Sequence, residues 1–221
     1  MNTQERKTPE HEAIYRRLRD MILFGQVAPG QPVTIMGLKE QIGAGMTPVR
    51  EAIRRLTAEG ALETLGNRRI CVPLLDEAHL SQIDFARRTI EPELALRAAK
   101  NADEATIYDM RNIDERLDAA ILSGDINGYL RQNYLFHFRL YRQAGAEVLL
   151  AMAKGLWMRV GPSLRIVCGR YGTSNLPDLH GAALDALTEG DPHRVCAAIE
   201  QDIAQGMGQI RESMRESAPA R

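Results

Sequence analysis

At 221 residues, with 44% hydrophobic and 26% charged positions, the chain has apolar material for two modest cores and too much for a disordered or fibrous protein. Three cysteines, Cys71, Cys168 and Cys196, without CxxC spacing argue against a disulfide framework or a zinc finger. Net charge is −1, yet residues 1–75 carry 11 Lys and Arg against 8 Asp and Glu and the remainder 17 against 21, an asymmetry that by itself argues little about a nucleic-acid partner. The first ten residues lack the apolar core of a signal peptide, and the longest apolar run, Val148 to Ala153, is too short to span a bilayer. A cytoplasmic protein with no membrane partner is expected.

In chain order, Ile14, Leu18, Met21 and Ile22 fall at helical spacing and predict a first helix over 11–24. Ala28-Pro29-Gly30 breaks the chain, Val33-Thr34 predicts a short strand, and Thr34 caps a second helix burying Ile35, Leu38 and Ile42. After the turn Gly43-Ala44-Gly45-Met46, Thr47 is an expected N-cap and Pro48 the first helical residue. Val49, Ala52, Ile53 and Leu56 form the apolar stripe of this third helix, and Arg50, Arg54 and Arg55 its polar side. Residues 61–65, a Gly66-Asn67 turn and 68–73 predict a hairpin with Arg68 and Arg69 near its tip. Helix, strand, helix, turn, helix and hairpin is the order of a winged helix-turn-helix, whose last helix reads the major groove while the wing follows the backbone or minor groove.

Beyond residue 75 strand signals vanish. Six amphipathic helices are predicted, at 77–100, 104–122, 126–143, 147–171, 178–189 and 192–215, with connections short enough for an antiparallel bundle. The fold class is thus mostly α, with a DNA-binding winged helix-turn-helix domain over 1–73 and a helical domain over 74–221, joined through Val72-Pro73-Leu74-Leu75. Asn133 and His137 share a stripe with Leu130, Leu140 and Tyr141, His180 aligns with Leu184 and Leu187, and Asp202 interrupts the stripe of Val195, Ile199 and Ile210. Four polar groups aimed into one interior must be paired, hydrated or bound to an ion. His11, His79 and His193 lie near helix starts and read as surface residues.

LKEQIGAGMTPVREAIRRL at Leu38–Leu56, followed by AEGAL and the hairpin, resembles the helix-turn-helix signature of GntR-family regulators, most specifically in TPVREAIRRL. FARRTIEPELA, NYLFHFRLYRQAG, HGAALDALTEGDP and CAAIEQDIA resemble the family's FadR-type C-terminal domain in its six-helix, VanR-like version. The resemblance implies a homodimeric, ligand-responsive regulator, a repressor, on a pseudo-palindromic operator. Its expected DNA-contacting residues are Thr47, Pro48, Arg50, Arg54, Arg68 and Arg69. Met36 and Met46 stand where the family commonly has guanine-reading arginines, which implies a different operator or more reliance on DNA shape.

The resemblance also marks Asn133, His137, His180 and Asp202 as a divalent-metal set for zinc, nickel or manganese, with Asn133 in place of the usual Asp and Asp202 in place of a His. The alternative is a hydrogen-bonded core around ordered water. Arg87 matches an effector-facing arginine and is a candidate clamp for an organic acid, against an exposed helix-face residue. A metal-dependent hydrolase or isomerase built on the same residues is the rival reading. It offers no separate general acid or base and leaves the reading head without a purpose.

Overall fold

The computed structural model of the chain describes residues 9–66, 69–171 and 177–217. Helix α1 (Glu10–Leu23) buries Ile14, Leu18, Met21 and Ile22 on one face. It ends where Gly25 turns left-handed, at φ 65°, and the N–H groups of Gly25 and Gln26 return to Ile22 and Met21. Val33 then bridges Ile70, which is all that forms of the predicted strand. Thr34 Oγ1 accepts the Gly37 N–H at 3.0 Å and starts α2 (Ile35–Ile42). Helix α3 (Met46–Ala58) buries the expected stripe of Val49, Ala52, Ile53 and Leu56.

The start of α3 corrects the sequence reading. Gly45 is the cap and Met46 the first helical residue, so Thr47 lies inside the first turn. Pro48 becomes the third helical residue, where a missing N–H still sacrifices no intrahelical bond. Strands β1 (Glu63–Leu65) and β2 (Arg69–Cys71) pair antiparallel in the register Glu63↔Cys71, Thr64↔Ile70, Leu65↔Arg69. The hairpin is shorter than predicted because its flanks are used elsewhere. Ala61 and Leu62 fold back onto the Leu56 carbonyl and are buried, and Val72 bridges Pro29.

Six helices follow: α4 (Glu77–Ala99), α5 (Glu104–Ser123), α6 (Ile126–Tyr141), α7 (Glu147–Tyr171), α8 (Leu179–Glu189) and α9 (Pro192–Ser217), with one 3-10 turn at Arg142–Ala144. Five of them open on an aspartate whose Oδ1 accepts a first-turn N–H: Asp76, Asp103, Asp125, Asp178 and Asp191, at 2.7 to 3.0 Å. Each such cap stabilises its helix by about 1 kcal/mol. Helix α4 lies along α9, α5 along α6, and α8 packs on α9, so α6, α8 and α9 bring their inner faces to one end of the bundle.

The reading head is not held by the linker alone, as the sequence suggested. The end of α1 packs on α7, where Gly161 lies directly beneath the Leu23 carbonyl. Phe24 meets Tyr134 of α6 edge-on, and the Arg131 guanidinium lies over the Phe24 ring, 4.8 Å from its centroid. One apolar core runs through both halves.

Candidate functional site

The first half presents α3 and the hairpin. Thr47, Arg50 and Arg54 are exposed on the first turns of α3, Pro48 is half-buried between them, and these four line a shallow depression together with Glu10, His11 and Glu51. Arg54 is tied to Glu51 at 2.6 Å across one turn, a solvent-exposed pair that a phosphate could compete for. Arg50 has no such pair among the described residues. Arg55, identical in type, faces the other way: its guanidinium lies 3.6 Å over the Tyr15 ring and bonds Glu59 and Glu12, which pins α3 to α1. Tyr15 gives its hydroxyl to the same Glu59 at 2.8 Å. Arg69 is exposed on β2, and Arg68 lies outside the described residues. Met36 of α2 is exposed, and Met46, the first residue of α3, is half-buried.

The second half holds its polar groups in the bundle. His137 of α6 is fully buried, and its Nδ1 lies 3.1 Å from the Tyr141 hydroxyl. That hydroxyl gives its only proton to Glu91 Oε2 at 2.8 Å. The Tyr141 oxygen can then only accept from His137, which places a proton on Nδ1, so that in the neutral ring Nε2 carries the lone pair. Nε2 lies 3.1 Å from Asp202 Oδ2, out of line for a hydrogen bond, and among the described residues no other polar atom satisfies it.

His180 of α8 repeats the pattern. Its Nδ1 faces Asp114 Oδ1 of α5 at 3.2 Å, its ring stacks on Phe136 at 3.9 Å, and its Nε2 points toward Asp202 Oδ1 at 3.9 Å. Ligand atoms of His137, His180 and Asp202 all lie within 4.8 Å of one another. Asn133 is buried one turn before His137, on the same face of α6. Burial opposes the charge on Asp202, and the charge of the buried Arg87 guanidinium helps to hold its carboxyl below the usual range. For His180 burial also opposes the charged form, and the Asp114 hydrogen bond with the charges of Asp202, Asp114 and Asp178 raises its pKa overall.

In the neutral tautomer the His137 Nε2 and the Asp202 carboxylate are two lone-pair donors facing each other, an arrangement that a cation between them stabilises. Atoms each about 2.0 to 2.2 Å from one ion can stand 3.1 Å apart, as His137 Nε2 and Asp202 Oδ2 do. Each imidazole has its other nitrogen fixed by an outer partner, Tyr141 or Asp114, which is how metal-binding histidines are oriented. The residues therefore fit a divalent cation.

Arg87 is buried, which removes the exposed-helix reading. Its Nε and one terminal nitrogen are committed to Glu91 at 2.6 and 3.3 Å, and its guanidinium lies 4.7 Å from the Trp157 ring. Glu91, fully buried, also accepts the Trp157 indole N–H at 2.9 Å. Arg87 thus reaches the centre through Glu91 and Tyr141 and is not among the residues lining the adjoining cavity.

That cavity, about 430 Å³, opens beside His180 and Asp202 between α5, α6, α8 and α9. Leu117, Ile121, Leu122, Tyr129 and Leu179 form its apolar walls, and Asp114 and the exposed Asp118 and Asp178 line it as well. Partial burial and the charges of Asp114 and Asp178 raise the pKa of Asp118.

The winged head and the six-helix bundle each match a family model: bacterial regulatory proteins of the gntR family over residues 10–72, and the FCD domain over residues 82–205. The chain belongs to the GntR family. It is 28% identical over 194 residues to the HTH-type transcriptional regulator McbR of Escherichia coli K12, covering 85% of this chain and 88% of that relative. It is 28% identical over 192 residues to the probable D-xylose utilization operon transcriptional repressor of Paenarthrobacter nicotinovorans, covering 85% and 84%. The solved structure of E. coli McbR/YncC has the same fold, with a TM-score of 0.88 over 94% of this chain and all of that one at 23% identity.

This GntR-family chain is a transcriptional regulator, and the hydrolase or isomerase reading of its His and Asp residues falls with that. Among the described residues no helix is long and apolar enough to cross a membrane. Sequence reasoning passed over Asp114, Glu91, Tyr141 and Trp157 as site residues. Only Glu91 carried a signal, since Arg87 and Glu91 stand four apart and so share a helix face.

Proposed function

We propose that the regulator binds a pseudo-palindromic operator as a cytoplasmic homodimer, and that a small carboxylic acid in the C-terminal bundle sets its affinity for that operator. One head per chain supports dimeric recognition, because two-fold half-sites require two heads. Thr47, Pro48, Arg50 and Arg54 would meet DNA through α3, with Arg69 and Arg68 following the backbone from the wing. Repression is supported by relatives whose names describe repressors, the D-xylose protein and RspR of E. coli K12.

The observation that carries the sensor reading is the bare His137 Nε2 facing Asp202 across 3.1 Å in a fully buried position. His137, His180 and Asp202, with Asn133 as a fourth donor, would hold zinc, nickel or manganese. When bound, such an ion supplies a positive charge with open positions that a carboxylate can fill. The protein's part is to fix both imidazoles through Tyr141 and Asp114, exclude bulk water, and transmit a shift of α6 to the head through Tyr134 and Phe24. Coupling of about 1 to 3 kcal/mol between effector and operator is expected.

The test is an electrophoretic mobility assay with the promoter region of the protein's own gene, alongside native mass spectrometry. A retarded complex of dimer mass on a palindromic site is expected. A monomer binding one asymmetric half-site at full affinity contradicts the dimer, and absence of any specific complex contradicts the regulator reading.

A further inference from the structure

The cavity beside His180 and Asp202 has a charge pattern that an ordinary organic acid does not match. It is lined by Asp114 and by the exposed Asp118 and Asp178, and among the described residues no lysine or arginine lines it. Asp114 keeps one oxygen on His180 and Asp178 keeps one on the α8 cap, which leaves each with a second oxygen. Asp118 has no hydrogen-bond or ion-pair partner among the described residues.

A divalent ion at His180 and Asp202 would offset Asp202 and leave one surplus positive charge, with three further carboxylates on the same cavity. A plain carboxylate would gain at the ion and be repelled by those aspartates. A diamine would meet the opposite conflict. The unpartnered Nε2 of buried His137, facing Asp202 at 3.1 Å, marks the centre beside the cavity as a place where a cation fits, so the acidic lining does not stand alone.

We infer that the effector is an ammonium-bearing carboxylic acid, an amino acid in the broad sense. Its carboxylate faces the His137, His180 and Asp202 centre and its ammonium faces Asp114, Asp118 and Asp178. The aliphatic stem lies against Leu117, Ile121 and Leu122. This deepens the sensor reading and rests on it: the ion attracts one end of the ligand and the aspartates the other. Both ends then contribute to selectivity, because a molecule lacking either leaves one set of charges uncompensated.

Isothermal titration of the full-length, metal-loaded protein with α- and ω-amino acids of three to six carbons tests this against the matched unsubstituted acids and diamines. At least one amino acid is expected to bind about tenfold or more tightly than its matched acid and diamine, a difference of about 1.4 kcal/mol. Asp118→Asn should shrink the margin over the matched acid at least threefold, with circular dichroism unchanged. A matched acid that binds as tightly overturns the ammonium end while the sensor reading stands. A diamine that binds more tightly, or no binding by any amino acid, overturns the inference outright. Failure of the untreated protein to bind operator DNA is a separate outcome, which strikes the regulator reading whichever ligands bind.

Discussion

The Phe24 ring meets Tyr134 edge-on, with centroids 6.1 Å apart and planes at 81°. Tyr134 in turn lies 5.6 Å from Trp157, and Trp157 lies 5.1 Å from His137. An aromatic file therefore links the end of α1 in the reading head to the imidazole at the centre of the bundle. Packed cores shift between discrete arrangements more readily than they deform, so a movement at His137 has a physical route to the head.

The same junction gives a first prediction. A methyl at Gly161 would collide with the Leu23 carbonyl oxygen, whereas one at Gly155 on the same helix meets nothing within 4 Å. Gly161→Ala should destabilise by about 1 to 3 kcal/mol through forced separation of α1 from α7. Gly155→Ala should be neutral or stabilising by about 0.5 to 1 kcal/mol. Urea denaturation of both variants decides, and equal stability would show that the α1–α7 contact is not tight.

Arg50 and Arg55 should separate reading from folding. Arg50→Ala is expected to cost about 1 to 3 kcal/mol of operator affinity and to flatten preference at one base position, with little change in melting temperature. Arg55→Ala should lower stability by roughly 1 kcal/mol, since Arg55 joins Tyr15, Glu12 and Glu59, and leave the affinity of folded protein unchanged. Binding and thermal melts on the same preparations test both, and the reverse pattern would mean that the two side chains have been assigned to the wrong faces.

Tyr15 also predicts a pH dependence. Burial, then the hydrogen bond and charge of Glu59, push its hydroxyl up to about 12 from an ordinary value near 10. The neutral form is thus favoured in the folded protein, so its contribution is fully present below pH about 10 and is lost as pH rises toward about 12. Tyr15→Phe should flatten stability in that alkaline window, and an unchanged alkaline limb in denaturation would place the transition elsewhere.

Tyr141→Phe isolates the orientation of His137. The variant keeps the ring and its volume but removes the oxygen that accepts the Nδ1 proton. Metal affinity should fall about 10- to 100-fold, as for other losses of an outer partner to a metal-binding histidine. Unchanged affinity would mean that His137 needs no such partner.

Much of this architecture was legible in the sequence, because each bundle helix carries its own periodicity and its own stop signal. Helix α5 was expected at 104–122 and runs Glu104–Ser123; α9 was expected at 192–215 and runs Pro192–Ser217. His137, His180 and Asp202 were found as polar interruptions of apolar stripes, a signal that burial makes strong. Asp114 gave no such signal: it sits beside the buried stripe of Met110, Ile113 and Leu117 and reads as a solvated flank. Arg54 and Arg55 are adjacent, identical in type and both exposed, and only the position of α1 decides which of them is tied to it. The contact of Gly161 with Leu23 joins residues far apart in the chain, and local periodicity carries no information about such pairs.

The most direct test of the metal-anchored sensor is calorimetric titration of chelator-treated protein with zinc, nickel and manganese, repeated on His137→Gln and Asp202→Asn. One ion per chain is predicted for the parent protein with at least one of these metals, with affinity reduced about 100-fold or more in both variants. No binding, or binding that both variants retain at parent strength, would contradict the account and leave His137 and His180 as members of a hydrogen-bonded core.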